Sequence, residues 1–294
     1  MNQASQPDPL GRSKAFGDEL ALAIDLAHQA GKIQLDRYER LEDIRAKGPR
    51  DVVTEVDHLC EALIMKAVQE RYPADDFYAE EIGEVAALEG SAAGASGGSG
   101  TARAAAAGVA TRSDRVWIVD PLDGTINYAN GIPFFCVSIA LISGGGPVAG
   151  VVYDPTRDET FAGAIDGPSL RNGHPIRVGD KENLEDAVAT LAVGGRGTIR
   201  KRREALKKIR AHRSMGSASL TLAYVGCGRF DVYAQGAGLS AWDVAAAGLI
   251  AERAGARVTT LDGKPWFDLA TPAKKWSCLA ASPRHHATIL GLLS

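Results

Sequence analysis

The sequence has no uninterrupted apolar run long enough to cross a bilayer, which speaks against a membrane-spanning helix. Its first residues, MNQASQPDPLGRSKAFGDE, lack the apolar stretch of a signal peptide, so secretion is not indicated. Cysteine is scarce. Cys60, Cys136, Cys227 and Cys278 stand far apart with no C-x-x-C pair, which argues against a zinc site or a disulfide framework and fits a reducing cytoplasm. An excess of positive charge is also missing: 33 Lys and Arg face 36 Asp and Glu, giving a net charge of -3. Such a chain has no global cationic field, so neither nucleic acid nor an anionic membrane is the expected partner. What remains is ordinary globular composition, 45% hydrophobic and 23% charged over 294 residues, enough for one large domain or two smaller ones.

Residues 1–13 are polar and read as a loose lead-in. Leu20, Ala23, Ile24, Ala27, Ala30, Ile33 and Leu35 then recur at near-helical spacing and predict a helix to about Tyr38. Val56, Leu59, Leu63, Ile64 and Val68 repeat the pattern from Glu55 to Tyr72, where Pro73 stops it. Between Ala86 and Thr111 the chain is almost pure Ala, Gly, Ser and Thr, too poor in large apolar side chains to offset its ordering entropy, which predicts a mobile surface insertion. Strands follow at 116–120, 136–143 and 148–154, the last two joined as a hairpin by Gly-Gly-Gly-Pro. Further on come a strand at 187–193, a charged helix at 199–212, and apolar helices at 220–227 and 244–255. The mixture is an α+β pattern of layered sheets and helices, divided for description into an N-terminal part, 1–154, and a C-terminal part, 155–294.

The chemistry concentrates in WIVDPLDGT, 117–125, where an apolar strand ends in Asp120 and a turn supplies Asp123, Gly124 and Thr125. Two carboxylates three residues apart at a strand end can converge on one side, and hard oxygen ligands favour magnesium. Asp, Pro and Gly are also the commonest turn formers, so this segment alone does not separate site from turn. Leu-Asp-Gly-Thr is similar to the haloacid-dehalogenase-like phosphatases, but the position of their nucleophilic Asp is Pro121 here, and that covalent route is unsupported. Asp51-Val-Val-Thr-Glu-Val-Asp57, Glu80-Glu81 and Trp242-Asp243 add further acids, of which Asp57 and Asp243 can equally be read as helix caps.

Taken in order, Asp51–Asp57, Glu80-Glu81, Asp120–Thr125 and Trp242–Gly248 resemble the inositol monophosphatase family, which shares a magnesium-dependent phosphatase superfamily with fructose-1,6-bisphosphatase; Asn127–Pro133 and Gly216–Ala218 also match. The resemblance implies an alternating α/β/α/β/α sandwich that hydrolyses a small, inositol-phosphate-like monoester with a metal-activated water, in a cytoplasmic protein that forms a homodimer. It implies Mg2+ held by Glu80, Asp120, the Leu122 carbonyl, Asp123 and Asp243. Asp51 and Thr125, with Glu80, resemble the groups that activate the water; Asp123, Gly124 and Thr125 resemble the phosphate cradle; and Gly216, Ser217 and Ala218 resemble the substrate wall. Clustered carboxylates with no lysine or arginine among them repel one another in a dry cleft, so cations must accompany them.

One departure bears on substrate. Inositol-specific relatives usually carry a Glu seven residues before the Asp aligned with Asp243, and here that position is Gly236. Losing an acceptor for a polyol hydroxyl points toward fructose 1,6-bisphosphate, histidinol phosphate or a phosphorylated nucleotide, unless Gln235 reaches the same hydroxyl. The basic stretch Arg200–Arg213 reads as a solvated helix face; as a nucleic-acid surface it would instead support a regulatory, RNA-processing role for the same fold.

Overall fold

In the computed structural model, residues 15–41, 44–48, 51–82, 85–87, 111–194 and 199–293 are described. The lead-in expected at 1–13 and nearly all of the insertion expected at 86–111 lie outside them. Two helices open the fold, α1 (Gly17–Arg37) and α2 (Glu55–Arg71), with a short antiparallel pair, β1 (Ile44–Gly48) and β2 (Asp51–Thr54), between them. Helix α1 buries Leu20, Ala23, Leu26, Ala27 and Ala30, a stripe at three- and four-residue spacing that faces the core.

An eight-stranded sheet follows, built from β3 (Asp76–Ala79), β4 (Val85–Ala87), β5 (Arg115–Asp123), β6 (Cys136–Ser143), β7 (Gly146–Asp154), β8 (Glu159–Ala164), β9 (Leu170–Arg171) and β10 (His174–Pro175). Its order is β10-β9-β8-β7-β6-β5-β3-β4, antiparallel except for the parallel β3–β5 pair. The hairpin between β6 and β7 turns on Gly144 and Gly145, both at positive φ (61° and 80°), where a side chain would be strained. The sheet continues past Asp154 as far as Pro175, so the division made there from sequence falls inside its strand order.

A second, five-stranded sheet of order β12-β11-β13-β15-β14 contains β11 (Val188–Ala192), β12 (Ala211–His212), β13 (Val232–Leu239), β14 (Arg257–Thr259) and β15 (Trp276–Ala281). The remaining helices are α3 (Thr125–Ala129), α4 (Ile199–Leu206), α5 (Ala218–Gly226), α6 (Ala241–Arg253) and α7 (Pro283–Leu293).

Alternation along the strands sorts these elements into layers. Trp117, Val119, Ile139 and Val151 of the large sheet pack with α1 and α2, whereas Ile118, Ala140 and Val152 pack with α5 and α6. The inner face of the small sheet, with Tyr233, Cys278 and Ala280, covers the other side of those two helices. Its outer face, with Leu191, Val232, Ala234 and Leu279, buries Ala205 of α4 and Ile289 of α7. The result is an α/β/α/β/α sandwich in which both faces of each sheet are dry.

Helix α6 lies directly on β7. A Cβ placed on Gly150 would stand 2.9 Å from Ala246 Cα and 3.2 Å from Ala246 O, and backbone atoms cannot swing aside. Gly150→Ala is therefore expected to destabilise the fold by about 2 kcal/mol through overpacking. Thermal unfolding checks this; an unchanged Tm would show that α6 can shift freely on the sheet.

Candidate metal centre

The centre forms where the large sheet meets the N-termini of α5 and α6. On a regular strand residues 120 and 123 would face opposite sides, because side chains alternate. Here Asp120 pairs with Ser138 and Asp123 with Cys136, so β5 carries one extra residue in a bulge that includes Pro121, which has no N–H to give a ladder. Gln34 Nε2 donates to the Pro121 carbonyl at 2.8 Å and fixes the bulge from α1. The extra residue returns both carboxylates to one side. With Asp243 from α6, Asp120 and Asp123 bring carboxylate oxygens within 4.8 Å of one another.

Each acid is held by a different device. Asp123 accepts from Ser217 Oγ at 2.7 Å, Ser219 N at 2.6 Å and Ala218 N at 3.3 Å, so the free N–H groups that open α5 meet its charge. Asp120 Oδ1 accepts from the Leu122 N–H at 3.1 Å. Asp243 Oδ2 accepts from Ser240 N at 2.5 Å, capping α6 with one oxygen and leaving the other for the cluster. Cap and cluster member are thus the same residue.

Burial pushes Asp120 well above the ordinary carboxylate value, and the charges of Glu80, Asp123 and Asp243 add to it. Asp243 is raised likewise by burial and then by Asp123 and Glu80. Burial also raises Asp123, opposed by its bonds to Ser217, Ser219 and Ala218. Among the described residues none of the three forms an ion pair with lysine or arginine. An all-oxygen set that repels itself in a buried place suits a hard divalent cation, so the donor chemistry fits a metal.

Glu80, partly buried in the turn after β3, stands at the edge of this group and acts on all three acids through its charge. Its own N–H donates to the Val119 carbonyl at 3.3 Å, tying the turn to β5. The Leu122 carbonyl accepts from Thr125 Oγ1 at 2.9 Å, while the Leu122 side chain is fully buried. Gly124 lies at φ 97°, where a Cβ would be 3.0 Å from Phe134 O; only glycine lets the chain turn into α3 so close to that backbone.

Among the described residues the acid beside Thr125 is Asp57, whereas the sequence reading named Asp51. Thr125 Oγ1 lies 3.3 Å from Asp57 Oδ1, and Asp57 is completely buried. Asp51 belongs to β2 opposite Gly48, and its side chain is outside the described residues. The reason is a capping box: Asp57 Oδ2 accepts from Thr54 N at 2.8 Å and from Thr54 Oγ1 at 2.7 Å, which turns Oδ1 toward Thr125. Burial, with Glu81 and Glu80 nearby, pushes the Asp57 carboxyl up to about 7 against the lowering effect of the Thr54 bonds. The Thr54-x-x-Asp57 pattern carried this signal as a cap; nothing in it announced the second role.

At the expected substrate wall, Gly216 has φ 81°, and a Cβ would meet Asn127 Nδ2 at 2.8 Å. Asn127 Nδ2 donates to Met215 O and Phe134 O, each at 2.7 Å, and so fastens this loop to the large sheet. Ser217 and Ala218 direct their donors at Asp123. Gly236 points elsewhere: its Cβ would lie 3.5 Å from Val193 Cγ1 and 3.8 Å from Leu261 Cδ1, on the outer face of the small sheet. On β13 the side chain sharing the inner face with Tyr233 is Gln235, whose Oε1 accepts from Tyr233 Oη at 2.8 Å.

A five-layer sandwich with a carboxylate cluster at the junction of its layers defines an α+β protein with a candidate metal site. Comparison with known proteins narrows this. Residues 18–294 match the profile of the Inositol monophosphatase family, and the chain belongs to that family. It is 36% identical over 263 residues to an inositol monophosphatase of Mesembryanthemum crystallinum, covering 86% of this chain and 89% of the relative. A fructose-1,6-bisphosphatase/inositol-1-monophosphatase of Thermotoga maritima is 32% identical over 250 residues, 84% of this chain and 86% of the relative. The Nus factor SuhB of Pasteurella multocida is 35% identical over 253 residues, 83% and 85% respectively. Among solved structures, the extragenic suppressor protein suhB of Bartonella henselae superimposes with a TM-score of 0.80 at 30% identity, over 94% of this chain and 98% of that one.

Proposed function

We propose that this chain is a magnesium-dependent phosphatase that hydrolyses a small phosphate monoester. The observation that carries the reading is the cluster of Asp120, Asp123 and Asp243, three acids within 4.8 Å whose charged forms repel one another and suit a divalent cation. Asp120, Asp123 and Asp243, with Glu80 and the Leu122 carbonyl, would hold the metal. Bound magnesium supplies charge that polarises the phosphoryl group and acidifies nearby water.

The chain's own groups account for the rest. Asp57, with its carboxyl near neutrality, is suited to take a proton from an attacking water, and Thr125 Oγ1, 3.3 Å from Asp57 Oδ1, is placed to orient that water. We therefore assign to Asp57 the role that the sequence suggested for Asp51. Water adds to phosphorus, the ester P–O bond breaks, and the alcohol leaves with a proton. Gly124 and Thr125 cradle the phosphate, and the loop from Gly216 to Ala218 walls the substrate while its hydrogen bonds hold Asp123 in place. Support for an inositol-phosphate-like or sugar-phosphate substrate comes from the names of the relatives. A phosphate-release screen across polyol, sugar, amino-alcohol and nucleotide monophosphates tests the reading, with turnover of at least one class in magnesium expected; no turnover of any ester would overturn it.

The relative named Nus factor SuhB favours a second reading, a regulatory role in which the fold works by binding. The basic side chains available for it are partly engaged: Arg202 Nε donates to Leu191 O at 2.8 Å, and Lys207 pairs with Glu204 at 2.8 Å. A salt-sensitive RNA shift that survives loss of phosphatase activity would favour this reading.

A further inference from the structure

The far end of α6 borders a second cavity, with a volume of about 820 Å³. From Asp243 at the metal centre to Arg253 at this cavity the helix rises ~15 Å, at ~1.5 Å per residue, so the two places are separate. Three arginines line the cavity, Arg177, Arg253 and Arg284, against one acid, Asp180.

The fold explains why they converge. After β10 the chain crosses the C-terminus of α6 as a strap, with Ile176 N donating to Ser169 O and Val178 N to Ala254 O, each at 2.9 Å. Ile176 and Val178 pack on the core, and Arg177 between them is exposed, with no ion pair among the described residues. Arg253, in the last turn of α6, engages only its Nε, which donates to Gly167 O at 3.0 Å. Arg284 Nε donates to Asp180 Oδ1 at 3.0 Å, so the one acid lining the cavity is already paired. The negative end of α6 is answered too, since the carbonyls of Ile250, Ala251, Glu252 and Ala254 all accept backbone hydrogen bonds.

The opposite polarity comes from α7, whose N-terminus opens beside the cavity at Pro283 and Arg284. Pro283 has no N–H, and those of His285 and His286 go to Ser282 O, each at 3.0 Å, which leaves the N–H of Arg284 as the donor at this end. Ser282 also lines the cavity. It is only 2% exposed, and its Oγ has no hydrogen-bond partner among the described residues. A buried hydroxyl is rarely left so, and the cavity is where a partner can enter.

We propose that this cavity binds the phosphate group of a small molecule, at a site that needs no metal. The guanidinium groups of Arg177 and Arg253, the Arg284 N–H and the Ser282 hydroxyl offer donors to several oxygens of one tetrahedral anion, the arginines as charged forks. A carboxylate, with two oxygens, would leave part of this set unused. Pro168, Pro175 and Ile176 make the rest of the wall apolar, and the volume is that of a small-molecule pocket rather than of a bare ion, so the body of a phosphate ester has room.

Titration calorimetry of the full chain after EDTA treatment, with inorganic phosphate and with phenyl phosphate, tests the proposal. Without metal the acid cluster repels anions, so saturable binding is expected at the arginine cavity alone. Arg177→Gln and Arg253→Gln, both at exposed positions that leave folding intact, should each weaken it by ~10-fold, the worth of one hydrogen bond to a charged group. Asp243→Asn should leave it unchanged. Ser282→Ala should weaken it by ~5-fold, the worth of a neutral hydrogen bond, without lowering the Tm of phosphate-free protein, because the lost hydroxyl had no partner there. Tighter binding of phenyl phosphate assigns the site to esters, and equal affinities assign it to the free ion. No saturable binding to the stripped protein overturns the proposal, as does binding that Arg177→Gln, Arg253→Gln and Ser282→Ala all leave unchanged. No turnover is measured, so the result stands apart from the phosphatase reading.

Discussion

Phosphate release by Asp243→Asn and by Asp120→Asn is expected to fall by ~10^3-fold or more in kcat/KM, since on the proposed reading each would remove a ligand charge worth several kcal/mol to the transition state. The fold should survive. Asparagine keeps the shape of aspartate, and its side-chain oxygen can still accept from Ser240 N in place of Asp243 Oδ2, or from Leu122 N in place of Asp120 Oδ1. Because Asp120 is buried and Asp243 half-buried beside other negative charge, the metal-free variants should be at least as stable as the wild type. The two measurements together separate site from cap. A structural cap alone would leave turnover and magnesium affinity intact in both variants, and that outcome would remove these residues from the chemistry.

Stability should respond to pH in a direction set by the same acids. The Asp57 carboxyl is pushed up to about 7, whereas the unfolded group releases its proton near the ordinary 3.8. Between those values the folded chain binds more protons than the unfolded one, so raising the pH favours unfolding. The stabilisation is fully present below about pH 4 and is lost through about pH 7, and for Asp57 alone it amounts to roughly 4 kcal/mol. Asp120 and Asp243, also raised, act in the same direction. On the proposed reading magnesium would bind the ionised acids and stabilise the fold by mass action, by about 2.7 kcal/mol at a hundred times its Kd. Its effect on Tm should therefore grow with pH while the Tm of metal-free protein falls from pH 5 to pH 8. A metal-free Tm that rises over that range, or a magnesium shift equal at every pH, would show that the cluster is not ionised by metal binding.

Local signals in the sequence were strong for the helices and weak for what lies between distant segments. The spacing of Leu20, Ala23, Ala27 and Ala30 specifies the buried face of α1, though Leu35, taken into the same stripe, is 44% exposed at the end of the helix. The hairpin at Gly144 and Gly145 was legible because glycine alone tolerates such a turn. Strands β8 to β10, β14 and β15 were not separated, being short or mostly buried and so without a clean alternation. Helix α7 was missed despite Ser282-Pro283, a serine followed by a proline in the first turn.

At the centre, Asp120, Asp123 and Asp243 were readable as residues but not as a place. Their meeting depends on the bulge at Pro121 and on the entry of α6 beside β5, neither of which spacing reveals. The place of Asp57 was hidden for a related reason. It stands in one acidic run with Asp51, and the hydrogen bonds of Thr54 that turn its Oδ1 toward Thr125 are read from the sequence only as a cap. Likewise Gly236 and Gln235 are neighbours in sequence but face opposite sides of a sheet, so a one-residue difference exchanges the outer core for the face that carries Tyr233.

The central claim is that the acidic cluster works only when loaded with a divalent cation. Phosphate release from one accepted monoester, measured on protein stripped with EDTA, then after magnesium is restored, tests it most directly. Release should be absent from the stripped protein and return on addition of magnesium, with the fold intact in both states. Undiminished release from rigorously metal-free protein would contradict the account.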